Sequence, residues 1–292
     1  MARILITGAK GQLGNELKVV SGKYFGYDFI FTDIDTLDIS DPLKTSQFIH
    51  EKKPDWIVNC AAYTQVDKAE TDYQSALLVN GTSVKNIAAS LKDSTCKLIH
   101  ISTDYVFDGT ANVPYNEFSI PNPVTAYGRS KLEGEKAALT HIGSMVIRTS
   151  WLYSSFGNNF VKTMIRLGNE RESVNVVSDQ TGSPTYALDL AKVIMHIISG
   201  VIRNQIAFNA GIYHYSDEGV CSWYDFATAI MEEDGINCKV NPILSADYPT
   251  TARRPAYSVL NKSKIKENYN ITIPHWRASL QKCIKVMNNL YL

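Results

Sequence analysis

The sequence predicts an α/β fold, a doubly wound parallel sheet joined to a smaller α/β region, and three observations lead there. Short β-branched runs alternate with longer helical patterns through the first half. Those runs are nearly continuous in apolar residues, and a glycine-rich turn follows the first of them directly. A strand buried on both faces has no solvent side to alternate with, so continuous apolar runs belong to a parallel sheet covered by helices on each face. Strand–helix–strand alternation with right-handed crossovers then gives the doubly wound arrangement.

Taken in order, residues 3–7, 29–32, 56–59, 97–101 and 145–148 read as strands, and residues 12–20, 42–52, 73–91 and 127–139 as the helices between them. The second helix has a clear start signal, with Ser40 and Asp41 as cap candidates and Pro42 in the first turn. After about Trp151 the rhythm changes. Helical patterns at 159–169, 187–199 and 223–234 mix with short strands at 174–177 and 212–215, and loops such as 245–255 are rich in Pro and Tyr. Residues 1–150 therefore form one unit and residues 151–292 mainly a second, smaller one packed on it, with the chain returning to the sheet at about 180–210.

Composition removes several function classes. The chain has 292 residues with 45% hydrophobic and 20% charged content, a globular profile rather than a disordered one. Lys plus Arg and Asp plus Glu are both 29, so the formal charge is zero. No global field draws the chain to nucleic acid or an anionic membrane, and any anion must be held by a local site. The longest apolar stretch, 193–198, contains His196 and is too short to span a bilayer. The five cysteines, at 60, 96, 221, 238 and 283, form no C-x-x-C pair, which argues against a disulfide framework or zinc ribbon and for a reducing compartment. Only residues 4–7 separate Met1-Ala2-Arg3 from the first glycine, too little for the core of a secretory signal. A cytoplasmic location is expected.

The strongest local signal is Thr7-Gly8-Ala9-Lys10-Gly11-Gln12-Leu13-Gly14, between the first strand and the first helix. In this setting Gly8 permits the tight turn, Gly11 lets backbone approach a diphosphate, and Gly14 lets helix and strand pack closely. The helix N-terminus offers free N–H groups and a positive dipole end to the phosphates. The first unit is thus a Rossmann-type dinucleotide-binding domain. Asp33, 25 residues after Gly8 at the end of the second strand, can accept from the ribose hydroxyls and argues for NADH, because a 2′-phosphate would meet like charge. Lys10, inside the loop, argues for NADPH by pairing with that phosphate. The sequence leaves both cofactors open. Asp38, beside Ile39, can accept from the adenine amine or serve as a turn aspartate.

Tyr127 and Lys131 stand at i and i+4 and share one helix face. A lysine ammonium there lowers the phenol pKa and lets tyrosine exchange a proton near neutral pH. Such a pair arises by chance, so its context decides. Tyr127 follows Thr103 by 24 residues, and Thr103 ends the fourth parallel strand, the edge where open α/β sheets place their sites. Ser102-Thr103-Asp104 supplies a hydroxyl to hold a substrate oxygen and a carboxylate beside it.

With these motifs in view, the chain resembles the extended short-chain dehydrogenases and, among them, the dTDP-4-dehydrorhamnose reductases. The likeness runs nearly end to end. It is carried by Asn59-Cys-Ala-Ala-Tyr-Thr-Gln-Val-Asp-Lys-Ala-Glu70, Ser102-Thr-Asp-Tyr-Val-Phe-Asp-Gly109, Arg148-Thr-Ser-Trp-Leu-Tyr153, Gly157-Asn-Asn-Phe-Val-Lys-Thr-Met164, Asp179-Gln-Thr-Gly-Ser-Pro-Thr185 and Arg254-Pro255. The resemblance implies a reduction of a dTDP-4-keto-6-deoxy-L-hexose by NADPH or NADH. Thr103, Tyr127 and Lys131 are implied as the catalytic trio, and Ala61 and Ala62 as part of the cofactor wall. Thr64, Val66, Asp104, Tyr105 and Trp151 are implied around the deoxysugar, with Arg254 at the nucleotide diphosphate. Trp151 also reads as a core aromatic at the junction of the two units.

Some members bind magnesium through glutamates at a homodimer interface. Glu16 matches one such position, whereas the stretch after Pro184 and the C-terminal Asn-Asn-Leu-Tyr-Leu do not supply the others, and the six histidines show no ligand spacing. No catalytic metal is expected. The resemblance extends to other nucleotide-sugar reductases and epimerases, and to the regulatory β subunit of methionine adenosyltransferase, which stand as alternatives.

Overall fold

The computed structural model describes residues 1–290. Six parallel strands form the central sheet: β1 (Arg3–Thr7), β2 (Asp28–Phe31), β3 (Trp56–Asn59), β4 (Lys97–Thr103), β5 (Ser144–Thr149) and β6 (Gly211–His214), in the spatial order β6-β5-β4-β3-β1-β2. The order reverses between β1 and β3, which opens a crevice at their carboxyl ends.

The main helices are α1 (Gln12–Ser21), α2 (Pro42–Lys52), α3 (Ser83–Ser90), α4 (Ala126–Ala138), α5 (Phe160–Glu170), α6 (Ala187–Ile202), α7 (Trp223–Asp234) and α8 (Trp276–Leu290). The two-residue period of the strands divides the core into layers. Ile4 and Ile6 of β1, with Val58, Ile99 and Ile147, pack against Leu13 and Leu17 of α1 and Leu190, Ile194 and Ile197 of α6. Leu5, one residue out of phase, joins Ile57, Leu98 and Val146 on the opposite face under Ile49, Val84 and Ala138. A separate core of Tyr153, Val161, Phe226, Ile230, Trp276 and Leu280 holds α5, α7 and α8 together. None of the described helices is long and apolar enough to cross a membrane.

The start of α2 follows the sequence signal. Asp41 accepts from the backbone N–H groups of Leu43 and Lys44 at 3.0 and 3.1 Å, with Pro42 in the first turn. Two elements differ from expectation. Residues 212–215, read as a strand of the second unit, belong to the main sheet as β6, paired with β5. The return expected at about 180–210 is thus α6, and it is completed one element later. The single helix expected over 73–91 is broken into Tyr73–Leu77, a π turn at Leu78–Thr82, and α3. The wider turn serves Asn80, which is fully buried. Its carboxamide accepts from Tyr63 N at 2.9 Å and donates to Tyr63 O at 3.0 Å and to the Ser130 hydroxyl at 2.9 Å.

One buried ion pair ties α4 to the sheet. Glu135 of α4 receives Arg148 of β5 in bidentate fashion, Nε to Oε1 at 2.8 Å and Nη2 to Oε2 at 2.7 Å, both side chains being 1% exposed. Ser102 of β4 donates to Glu135 at 2.6 Å, and the Arg148 guanidinium lies 5.0 Å from the Phe107 ring centre. His214 of β6 sits 3.4 Å from Arg148, and burial together with that cation pushes its pKa down to about 3, so it stays neutral.

Removing one partner of such a pair leaves a buried charge without its complement. Glu135→Ala is expected to destabilise the chain by about 3–5 kcal/mol, read as a lower denaturant midpoint. Glu135→Gln keeps the side-chain volume but also leaves the Arg148 charge without its complement, so it should be destabilised in the same direction.

Candidate active site

The glycine turn is built as its spacing predicts. Gly8 has φ +66°, the left-handed region, and a Cβ there would lie 2.6 Å from the backbone nitrogen of Ala61 at the end of β3. A Cβ on Gly14 would collide with the Gly8 carbonyl oxygen. Gly11 stands at the N-cap of α1 with no side chain capping it, so the first-turn N–H groups of Gln12, Leu13 and Gly14 point from the helix end without a side-chain partner. This cradle fits a diphosphate, with Ala61 and Ala62 on the adjoining wall.

The residues flanking it are bonded in ways the sequence did not reveal. Asp33 accepts from the Lys10 backbone N–H at 2.8 Å and from Ile34 N at 2.9 Å, and so braces the loop. The Lys10 ammonium, exposed, is bound to Asp35 at 2.8 Å, and that hydrogen bond raises its pKa. Asp38 accepts from the backbone and hydroxyl of Ser40 at 2.9 and 2.7 Å, which is the turn-aspartate arrangement. Ile39 is buried in the core.

The catalytic candidates gather at the carboxyl edge of β4. Thr125 caps α4 by accepting from Gly128 N at 3.0 Å, and Glu70 accepts from Ala126 N at 2.8 Å, which fixes the helix start beside Tyr127. The Thr103 hydroxyl donates to Asp104 at 3.0 Å and accepts from Tyr105 N at 3.2 Å. Tyr127 meets Tyr105 edge to face at 5.5 Å. The Lys131 ammonium is 2% exposed and donates to the Ile101 carbonyl at 2.7 Å.

Burial shifts all three ionisable groups. It pushes the Tyr127 phenol up, with the Thr103 hydroxyl pulling back, and lifts the Asp104 carboxyl to about 6. It brings Lys131 down to about 8, partly offset by Glu135. The expectation that Lys131 lowers the phenol pKa is therefore corrected. The ammonium gives one of its three protons to the Ile101 carbonyl and is not among the groups acting on Tyr127, whose phenol is shifted up by burial. The neighbouring Ser102 hydroxyl donates to Glu135 at 2.6 Å.

Of the residues implied around the sugar, Asp104 has a buried Oδ2 with no hydrogen-bond partner among the described residues. Trp151 adopts φ +48°, rare for a non-glycine, and stacks on Trp223 at 3.7 Å with planes 8° apart. Arg254 donates to Asp67 at 2.8 Å and reaches the Tyr105 hydroxyl at 3.5 Å. Thr64 is exposed and Val66 half-buried, just before Asp67. Beyond Arg254 opens a cleft of about 870 Å³ lined by Trp223, Gln180, Ser245, Tyr248 and Arg253 among others. It lies beside the catalytic trio rather than over it, and Arg254 is the one implied substrate residue on its wall.

The implied metal site does not fit. Glu16 is buried, accepts from the Ser154 hydroxyl at 2.6 Å, and is pushed toward its neutral form by burial. Asp189, from the stretch after Pro184, does lie close enough to act on Glu16, but Lys192 already pairs with it at 2.9 Å. Among the described residues no group of three His, Cys, Asp or Glu side chains could hold an ion.

A family profile, the RmlD substrate binding domain, matches residues 2–289. A dTDP-4-dehydrorhamnose reductase of Aggregatibacter actinomycetemcomitans is 42% identical over 289 residues, covering 96% of this chain and 98% of the relative. The chain belongs to the dTDP-4-dehydrorhamnose reductase family. The crystal structure of a member from Clostridium acetobutylicum superposes with a TM-score of 0.92 at 42% identity, covering 98% of this chain and 99% of that one. A member from Bacillus anthracis, solved in complex with NADP, gives 0.89 at 39% identity, covering 98% and 100%.

Within this family frame, the sequence reading missed Asp67, Trp223, Asn80 and the Glu135–Arg148 pair. Asp67 and Glu135 each lie within or beside a motif already singled out, but their partners are distant in sequence. Trp223 carried no local signal beyond its type.

Since Lys131 is charged only below about 8, kcat/KM is expected to fall as pH rises through that value. In Lys131→Arg, whose guanidinium stays charged, the alkaline limb should vanish from whatever activity remains. A pH–rate series on both proteins checks this.

Proposed function

We propose that this chain reduces dTDP-4-dehydro-L-rhamnose to dTDP-L-rhamnose, the last step in making that activated sugar, with NADPH as the preferred hydride donor and NADH as a second. The observation that carries the reading is the meeting of Thr103, Tyr127 and Lys131 with the glycine cradle at one edge of the sheet, in a chain of this family. Residues 1–150 supply the dinucleotide side, and residues 151–292 supply most of the sugar-nucleotide side. In this reading the protein is cytoplasmic, and a homodimer is its assembly.

Gly8, Gly11, Gln12, Leu13 and Gly14 hold the diphosphate, Asp33 the adenosine ribose, and Ala61 and Ala62 line the wall. The reduced dinucleotide supplies the hydride when bound. The remaining work is done by side chains. Tyr127 gives its proton to the C4 oxygen of the substrate as charge develops there. Its raised pKa keeps that proton in place until then. Thr103 directs its hydroxyl to the same oxygen, and Asp104, half-neutral near pH 6, accepts from a sugar hydroxyl. Lys131, fixed on Ile101, turns its other N–H groups to the nicotinamide ribose. Arg254 moves from Asp67 toward the substrate diphosphate.

The test is loss of reduced-nicotinamide absorbance with the keto-sugar generated in place, and assignment of the product's C4 configuration. dTDP-L-rhamnose confirms the reading. Oxidation of neither cofactor despite cofactor binding, or a C4-epimeric product, overturns it. Tyr127→Phe is expected to lose about 10²–10⁴-fold in kcat while NADPH still binds. Lys10→Ala should lower the NADPH-to-NADH preference by up to about fivefold, the scale of one exposed ion pair. Rates with both cofactors check it.

A further inference from the structure

Asp179 and Gln180, the first two residues of the Asp179-Gln-Thr-Gly-Ser-Pro-Thr185 motif, line the 870 Å³ cleft, and the mechanism makes no use of them. The backbone of the motif is pinned there. Thr181 N donates to Ala256 O at 2.7 Å, and Ser258 N donates to Thr181 O at 2.8 Å, next to the strand of chain that carries Arg254. Asp179 is clasped by Ser245, whose backbone N–H reaches both carboxylate oxygens at 3.0 and 2.9 Å and whose hydroxyl reaches Oδ1 at 2.6 Å. Burial raises the Asp179 pKa, and the Ser245 bonds more than offset it, so the group sits below its ordinary value and is ionised.

This clasp fixes the direction of a third bond. An ionised carboxylate only accepts, so the single hydroxyl proton of Ser245 goes to Asp179. The Ser245 oxygen must then accept from Gln180, 2.9 Å away, and the atom facing it must be Nε2. Gln180 is 7% exposed, lines the cleft, and its Oε1 accepts no hydrogen bond among the described residues. The carboxamide therefore presents a free acceptor and one remaining N–H in a fixed order.

We propose that Gln180 reads the base of the bound nucleotide, its orientation set by Ser245 and Asp179. It pairs with a pyrimidine bearing an N–H next to a carbonyl, as in thymine or uracil, and rejects cytosine. The proposal rests on the nucleotide-sugar reading given above. Oε1 accepts the ring N–H, and the second Nε2 hydrogen donates to the neighbouring carbonyl. Cytosine offers the reverse order, an acceptor ring nitrogen and an amino donor, and would need the amide flipped against the Ser245 oxygen. Gln180 is the contact residue, and Ser245 and Asp179 are positioning residues that act through it.

The test is equilibrium binding of dTDP against dCDP, and of UDP against CDP, to the full chain, followed by tryptophan emission, since Trp223 lines the cleft. The wild type is expected to favour the imide-bearing base in each pair by about tenfold or more, the scale of one mismatched hydrogen-bond pair. Asp179→Asn lets the Ser245 hydroxyl turn, and Ser245→Ala removes the anchor. Both should bring the ratio toward one, with the kinetic loss on the dTDP-sugar appearing mainly in KM. Gln180→Ala should weaken dTDP by about tenfold. Equal binding of the two bases by the wild type overturns the proposal. So does a ratio that Asp179→Asn and Ser245→Ala leave intact while weakening every nucleotide alike, which is what a merely structural clasp would give. If the wild type binds none of the four nucleotides, the nucleotide-sugar reading falls as well. Normal dTDP-sugar turnover with an unaltered base ratio removes only the role of Gln180.

Discussion

The contact on which the site depends is the bidentate bond between Glu135 and Arg148, both sealed from water. A buried pair holds only when its remaining lone pairs and protons are satisfied, and here Ser102, Phe107 and His214 supply those contacts from three directions. The consequence is geometric. Glu135 lies one helical turn after Lys131, Ser102 immediately precedes Thr103, and His214 belongs to the last strand added to the sheet. One charged knot therefore sets the height of α4 over β4 and β5, and with it the spacing of Thr103, Tyr127 and Lys131. The neutral state of His214 is part of the same arrangement, because a second cation there would compete with Arg148 for the one carboxylate pair.

Burial also decides the chemical temper of the site. The phenol and the Asp104 carboxyl are pushed up and the ammonium down, each toward the uncharged form, by one cause. For a reduction this is an orderly outcome. A proton donor must keep its proton until negative charge appears on the substrate, and a phenol with a raised pKa does so. Thr103 stands between the two acids, donating to Asp104 and within reach of the Tyr127 oxygen.

Much of the first unit was legible in the sequence because its signals are local. The apolar runs of β1 and β3, the Asp41–Pro42 start of α2 and the glycine spacing are each decided within a few residues, and the structure shows them where expected. What could not be read depends on distant partners. β6 looks like any short strand until Arg148 and its neighbours provide the edge it joins. The π turn at Leu78–Thr82 exists for Asn80, whose partners Tyr63 and Ser130 are separated from it by 17 and 50 residues. The Tyr127–Lys131 spacing placed both groups on one face correctly, yet it could not show that the Ile101 carbonyl holds the ammonium.

The position of α6 has a consequence for how the chain comes to be folded. Ile4, Ile6, Val58, Ile99 and Ile147 are all made before residue 150, but the helix that covers them together with α1 is Ala187–Ile202. On a ribosome, synthesis proceeds from the N-terminus. Five strands can therefore be paired while the part of one sheet face that α6 covers stays apolar and open. The intervening residues 151–186 must be made during that interval, and part of them enters the other core with Tyr153 and Val161. Until α6 docks, the nascent chain therefore carries an uncovered apolar patch on its sheet, the kind of surface that favours aggregation.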